Sequence, residues 1–309
     1  MVTILFSILG CICLIYLIIF VKDFIKNKEK LENNSWWKLS TIGFVTNFFD
    51  VLGIGSFATG ASMLRIFKQS SDRVIPGTLN VGYTIPVILE ALIFIKVIKV
   101  EALTLVGMIV SALIGAWIGA GLVAKFSEKK VQKVMGFALI ATGILMLSSQ
   151  IGLIPSGGTA IGLKGGKLIF ALIVNFILGT LMTAGIGLYA PCMVLVYFLG
   201  MSPKVAFPIM FGSCAFLMPI ASIKFIKEGA YNRKASMAFS TIGAVGVLIA
   251  AYLVKSLPIK ILTWVVIAVV FYTAISMLNT AAKANKNSKK ENEEERKNSK
   301  LAHEIDQMQ

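Results

Sequence analysis

Gly53-Ile54-Gly55 interrupts one apolar stretch, and Gly185-Ile186-Gly187 interrupts another 132 positions later. At the same spacing Ala58 meets Ala190, Ser70 meets Ser202 and Pro76 meets Pro208. One residue out of step, Met146-Leu147 meets Met277-Leu278. The apolar part of the chain therefore reads as written twice. Two halves, each with a glycine interruption inside a hydrophobic segment, are a pattern of secondary transporters, whose substrate sites lie where broken helices of two repeats meet.

Composition sets the class. The chain is 57% hydrophobic and 15% charged, with a mean hydropathy of +0.82. Apolar runs fall at 2–21, 40–66, 74–98, 102–124, 131–151, 168–200, 204–226, 235–254 and 260–280. A hydrocarbon core of ~30 Å needs about twenty residues of helix. Lipid offers no partner to free backbone groups, so the spans are helices. Barrel strands would alternate apolar and polar residues over about ten positions, which these runs do not. The expectation is an all-α polytopic membrane protein. It has two homologous four-segment repeats, each opened by a glycine-broken segment, behind an N-terminal anchor helix.

The parts expected are the anchor helix and charged linker at 1–39, a first repeat at 40–151 and a connecting loop at 152–167. A second repeat at 168–280 and a charged cytoplasmic tail at 281–309 follow. No basic residue precedes 2–21 and no small-residue cleavage site follows it, so it reads as an uncleaved anchor. Trp36-Trp37, at the end of the charged linker, fit an interfacial belt.

A formal charge of +15 raises nucleic acid as a partner. The simpler reading is positive charge held at the cytoplasmic face of a cell membrane, with the lipid bilayer and no nucleic acid as partner. If all nine segments cross, 20 Lys/Arg lie inside and 10 outside. If 40–66 and 168–200 each enter and leave on one side, the split becomes 23 to 7. Both arrangements put the N-terminus outside and the tail inside. The second follows the positive-inside tendency better and makes the halves inverted repeats.

Segments 40–66 and 168–200 would each be ~40 Å or longer as one helix, more than a bilayer needs. Glycine weakens a helix by about 1 kcal/mol relative to alanine, and Pro191 removes a backbone donor just after the second interruption. A broken helix exposes N–H groups that hold an anion without a lysine. The competing reading is that the glycines let helices pack closely.

Residues 40–280 resemble the TauE/SafE family of sulfite and organosulfonate exporters. In the first half the resemblance rests on Gly53-Ile54-Gly55-Ser56-Phe57 and Pro76-Gly77-Thr78-Leu79-Asn80. In the second it rests on Gly185-Ile186-Gly187-Leu188-Tyr189-Ala190-Pro191, Ala206-Phe207-Pro208 and Gly212-Ser213. Between them run Gly107, Gly115-Ala116-Trp117-Ile118-Gly119-Ala120-Gly121, a basic loop at Lys129-Lys130 and Gly143-Ile144-Leu145-Met146-Leu147. Glu228-Gly229-Ala230-Tyr231 stands where members carry a glycine-led turn. Ser56 and Phe57 replace further glycines of the first element, and its proline is missing, with Thr59 nearby. The resemblance implies a permease for sulfite or an organosulfonate.

The polar residues inside the spans are the candidate site. Asp50 and Glu90 are the acids at membrane depth, where a charge costs at least ~2.5–3.5 kcal/mol. Asp50 either binds a coupling proton or sodium ion, or pairs with Arg65 or Arg73. Glu90 is either a proton relay or a helix–helix hydrogen-bond group. Candidate substrate contacts are Asn47, Gly53, Gly55, Ser56, Thr59, Thr78 and Asn80 in the first half. In the second half they are Gly185, Gly187, Tyr189, Pro191 and Ser213, with Asn175, Thr180 and Thr183 beside them. Hydroxyls and amides can donate to sulfonate oxygens; they equally join helices by bonds worth about 0.6–2 kcal/mol.

Enzyme readings find little support. The only histidine is His303, which excludes a His-Glu-x-x-His zinc site and a Ser-His pair in the membrane. Cys11, Cys13, Cys192 and Cys214 form no Cys-x-x-Cys motif. No Walker-type loop is present, and no cofactor or metal is expected. The reading is a secondary transporter of a small anion, working by alternating access around 47–60 and 179–191. A membrane scaffold or assembly factor, and an anion channel, are the alternatives.

Overall fold

The computed structural model describes residues 2–52, 54–154 and 158–253, with 264, 267–268 and 270–283. Helices carry it: α1 (Val2–Lys26), α2 (Trp36–Val51), α3 (Ser56–Ile66), α4 (Ile75–Val97), α5 (Ala102–Val123), α6 (Glu128–Gln150), α7 (Gly165–Met182), α8 (Tyr189–Phe198), α9 (Pro203–Lys227), α10 (Arg233–Ala238) and α11 (Ala244–Leu253). A π-helical turn, Phe239–Gly243, joins α10 to α11, and residues 270–283 form a last helical stretch. Among the described residues, seven helices are long and apolar enough to cross a membrane. The segment expected at 260–280 is described only in part, and 284–309 of the expected tail lie outside the described residues.

Both long segments break where the glycines stand. α2 ends at Val51 and α3 starts at Ser56. Gly55 there has φ 90°, a left-handed conformation that glycine adopts without steric cost. α7 ends at Met182 and α8 starts at Tyr189. Here the left-handed residue is Gly185, at φ 91°, although the repeat spacing matches Gly55 to Gly187. The repeated motif makes a break in both halves; the repeat counterpart of Gly185 is Gly53, which lies outside the described residues.

Each break folds its segment back on itself. Asn34 Nδ2 donates to the carbonyl of Gln69 at 2.9 Å, and the Ser35 N–H donates to Gln69 Oε1 at 3.1 Å. The two outer ends of the α2–α3 hairpin thus lie together. At the other hairpin the Gly158 N–H donates to the Met201 carbonyl at 2.9 Å, and the Ser202 N–H to the Ala160 carbonyl at 2.8 Å. These ties join the chain before α7 to the chain after α8.

The hairpins lie at opposite ends of the bundle. The Asn34–Gln69 end also holds the α9–α10 connection, where the Asn232 N–H donates to Thr78 Oγ1 at 2.9 Å and the Arg233 N–H to Glu32 Oε1 at 2.8 Å. The Gly158–Met201 end holds the α4–α5 connection, where the Glu101 N–H donates to the Ile161 carbonyl at 2.8 Å. Helices α4 and α9 pack against each other between the hairpins.

Glycines set how closely the arms approach. α7 lies against α5, and α2 lies against α10, the π turn and α11. A methyl group at Gly115 would meet the Phe176 carbonyl, and one at Gly179 the Ala112 carbonyl. On the other side Gly43 lies against Phe239, and Gly246 against the backbone of Phe44. Small residues let helix backbones come together where lipid supplies no hydrophobic drive. The close-packing reading therefore describes these glycines, and the helix-break reading describes Gly55 and Gly185.

Gly179→Val should cost about 1–3 kcal/mol through forced separation of α5 and α7. Unfolding in detergent should show the loss, whereas Gly10→Val, at a site with open space around it, should behave like the parent.

Candidate functional site

Asp50 sits in the last turn of α2, and Ser56 opens α3 on the far side of the break. Asp50 Oδ1 accepts the Ser56 backbone N–H at 2.7 Å, and Oδ2 accepts the Ser56 hydroxyl at 2.7 Å. The carboxylate thus occupies the N-terminus of α3, where unsatisfied N–H groups carry partial positive charge. Asp50 is fully buried. Neither Arg65 nor Arg73 is its partner: Arg65 pairs with Asp72 and reaches Thr280 Oγ1 at 2.8 Å.

Glu90, on α4, is also fully buried. Its Oε2 accepts the Tyr189 hydroxyl at 3.0 Å, while among the described residues Oε1 has no hydrogen-bond partner. Tyr189 is the first residue of α8, and its hydroxyl interacts with Asp50 as well. One phenol from the second hairpin thus links the acid of the first hairpin to an acid on α4. Among the described residues no lysine or arginine is buried.

The two breaks face each other across a cavity of about 20 Å³, room for about one water molecule. Asp50, Gly55, Ser56 and Phe57 line it from the first hairpin, and Gly187, Leu188, Tyr189 and Ala190 from the second. A Cβ at Gly187 would lie 3.4 Å from Phe57 Cβ. A second cavity, of about 150 Å³, shares Ile54 and Ala190 with the first. Its wall includes Leu52, Leu145, Met146, Met193 and Val194, and it reaches Ser149, Gln150 and Ile154 at the far end of α6.

The structure brings together Asp50, Gly55, Ser56, Gly187 and Tyr189 in one lining, with Glu90 behind Tyr189. Thr59 lies one turn into α3, its hydroxyl bonded to the carbonyls of Gly55 and Ser56. Pro191 stands in the first turn of α8. The positive-φ Gly185 packs beside Met135. Gly53 lies outside the described residues.

Other candidates sit elsewhere, bonded within their own helix or to a neighbouring one. Asn47 Nδ2 donates to the Gly43 carbonyl at 2.7 Å and fills the space over Gly243. Thr78 accepts from the Asn232 N–H, and Asn80 Nδ2 donates to the Pro76 carbonyl at 2.8 Å. Asn175 Nδ2 donates to the Met108 carbonyl at 2.7 Å and to Ser213 Oγ at 3.1 Å. Thr180 donates to the Gly115 carbonyl, and Thr183 to the Thr180 carbonyl.

Thr142 of α6 and Met182 of α7 line the small cavity, and sequence reasoning missed both. No local pattern marks Thr142; only the packing of α6 beside α8 brings it there. The capping of α3 by Asp50 was also missed. The six-residue spacing is longer than an ordinary capping motif and works only because the backbone turns at the break.

A family model described as sulfite exporter TauE/SafE matches residues 1–146 and 168–303, and so covers both hairpins. The chain belongs to the TauE/SafE family. No match was found among curated proteins or among solved structures. As a TauE/SafE protein with several membrane-capable helices, it is a multi-pass membrane protein of a transporter family, and the cavity lies between its two helix breaks.

Ser56→Ala removes one of the two donors to the buried Asp50 carboxylate. A hydrogen bond to a charged group is worth about 1.5–3 kcal/mol. The variant should unfold at correspondingly lower denaturant in detergent, and Ser56→Thr, which keeps the hydroxyl, should recover most of the loss.

Proposed function

We propose that this protein is a secondary transporter in the cell membrane that carries a small sulfur oxyanion, sulfite or an organosulfonate, by alternating access. The observation that carries the reading is the cavity between the two helix breaks. One end of it is the N-terminus of α3, with its Ser56 N–H and hydroxyl; the other is the first turn of α8. Ser56 and Tyr189, once released from Asp50 and Glu90, supply hydroxyls for the oxyanion's oxygens, and Thr142, whose hydroxyl donates to the Ala138 carbonyl at 3.0 Å, completes the wall. Helix N-termini favour negative charge without the tight grip of a lysine. The family supports the substrate class, and Asp50 and Glu90 are the groups for ion coupling.

The small cavity has room for about one water, which marks this conformation as closed around the site. The adjoining larger cavity reaches the end of the bundle that carries the α6–α7 connection, and it is the path by which the anion enters or leaves. The Asn34–Gln69 end is held shut by Asp23, whose Oδ2 accepts from Arg233 Nε at 2.7 Å and from the Tyr231 hydroxyl at 2.6 Å.

Alternating access needs the hairpins to open to opposite sides. With the basic loops inside, the α2–α3 hairpin is re-entrant from the cytoplasm and the α7–α8 hairpin from outside, and the halves are inverted repeats. The N-terminus is then outside and the tail cytoplasmic. Reciprocal packing of α2 on α10–α11 and of α7 on α5 supports this arrangement.

The reading is tested in proteoliposomes with sulfite, sulfoacetate, taurine, sulfate and small carboxylates. Saturable flux is expected for a sulfur oxyanion, falling at least ten-fold in Ser56→Ala/Tyr189→Phe. Absence of flux would overturn the reading in favour of a scaffold, flux that does not saturate would overturn it in favour of a channel, and equal saturable flux in parent and double variant would overturn the placing of the site at Ser56 and Tyr189.

A further inference from the structure

Two acids lie in one buried region, neither with a basic partner among the described residues, and their environments differ. Asp50 has both oxygens filled by donors at 2.7 Å, one of them a helix-terminal N–H. That is the environment of an ionised carboxylate. Glu90 has one donor and one bare oxygen. A second negative charge there would be buried without compensation, so the protonated acid is the form the site accepts.

Sodium does not fit the same geometry. Hard cations are held by several oxygen ligands at once. Both Asp50 oxygens and one Glu90 oxygen already accept hydrogen bonds, and among the described residues no three Asp, Glu, His or Cys side chains gather around a cation position. A proton needs only one oxygen.

On the reading of the cavity as an anion site, we infer that Asp50 is the coupling acid and binds one proton for each anion that binds, while Glu90 stays protonated throughout. Charge balance underlies the exchange. In the empty site the N-terminus of α3 is neutralised by the Asp50 carboxylate. When a proton from water adds to Asp50, the carboxyl is neutral and releases the Ser56 N–H and hydroxyl. A monovalent oxyanion then takes those two donors. The site carries one negative charge before and after, and never two. When the anion leaves, the proton returns to water and Asp50 caps α3 again. Proton and anion therefore travel in the same direction, and transport of a monovalent anion is electroneutral.

The ionisable groups interacting with Asp50 are consistent with this. They are Tyr83 and Glu90 on α4, Tyr189 on α8 and Cys214 on α9. None carries positive charge. α10, which also packs on α2, bears Arg233 and Lys234, and these are engaged with Asp23, Glu32 and Asn34 at the end of the bundle.

Two readouts test the inference. The first is carbodiimide labelling, which marks protonated carboxyls in apolar surroundings, followed by mass spectrometry of the unmutated protein. Glu90 should label at neutral pH, and Asp50 only as the pH is lowered. The second is flux of ethanesulfonate into proteoliposomes, with a pH dye and a potassium–valinomycin clamp. One proton should move with each anion, and membrane potential should have no effect. In Asp50→Asn the remaining flux should lose its dependence on the pH gradient and become sensitive to potential. Flux that requires sodium, or that moves anions without protons in the parent, would overturn the inference and leave the transport reading standing. The expected labelling without flux of any sulfur oxyanion would support the protonation states while contradicting the transport reading.

Discussion

An acid buried with no base beside it among the described residues has to be stabilised by dipoles, and here the dipoles belong to a helix that exists only because the chain breaks. Asp50 ends α2, the backbone turns through Gly55, and the first N–H and hydroxyl of α3 close on the carboxylate. The three features depend on each other. Without the left-handed glycine the chain would run on as one helix and Ser56 would bond inside it. Without Ser56 the acid would keep only one donor. Without Asp50 the N-terminus of α3 would face the cavity uncompensated. The second hairpin meets this unit through Tyr189, so the acid on α4 is bonded to one break and interacts with the other.

The frame around this unit is made by small residues. Gly115 and Gly179 let α5 and α7 touch backbone to backbone, as Gly43 and Gly246 do for α2 against the last helices. Each hairpin is thus clamped by a helix from the other half of the chain, α7 by α5 and α2 by α10–α11, while α4 and α9 stand between. Close backbone packing ties the position of each hairpin to that of its clamping helices. On the proposed transport reading, such coupling lets one site face two sides in turn.

Much of the fold was legible because membrane helices announce themselves by length and hydrophobicity, and because two over-long segments carried glycines at their middles. The breaks at 52–55 and 183–188 follow directly. Helix ends were less legible: α1 continues through Lys22, Asp23 and Lys26, since a helix can run past the apolar part of its sequence. The lining of the cavity between the breaks was legible in part. Asp50, Ser56, Gly187 and Tyr189 fall beside the breaks and share one cavity. Asn47, Thr78, Asn80 and Ser213 looked equivalent by residue type, yet their side chains bond backbone carbonyls or neighbouring hydroxyls and amides. Sequence cannot distinguish an amide that faces a cavity from one that faces a neighbouring helix. Thr142 had no signal, since its place is set by packing between distant segments. The repeat is inexact in one detail: Gly55 is left-handed, while its counterpart Gly187 is not.

The central claim is that two hairpins enter from opposite faces and meet at mid-depth. The most direct measurement is the sidedness of single cysteines in a cysteine-free background, with Ser70 at the outer end of the first hairpin and Ser202 at the outer end of the second, probed in intact cells by a membrane-impermeant thiol reagent. The account predicts that the cysteine at 202 reacts from outside and the one at 70 only after the cells are opened. Reaction of both from the same side would contradict it.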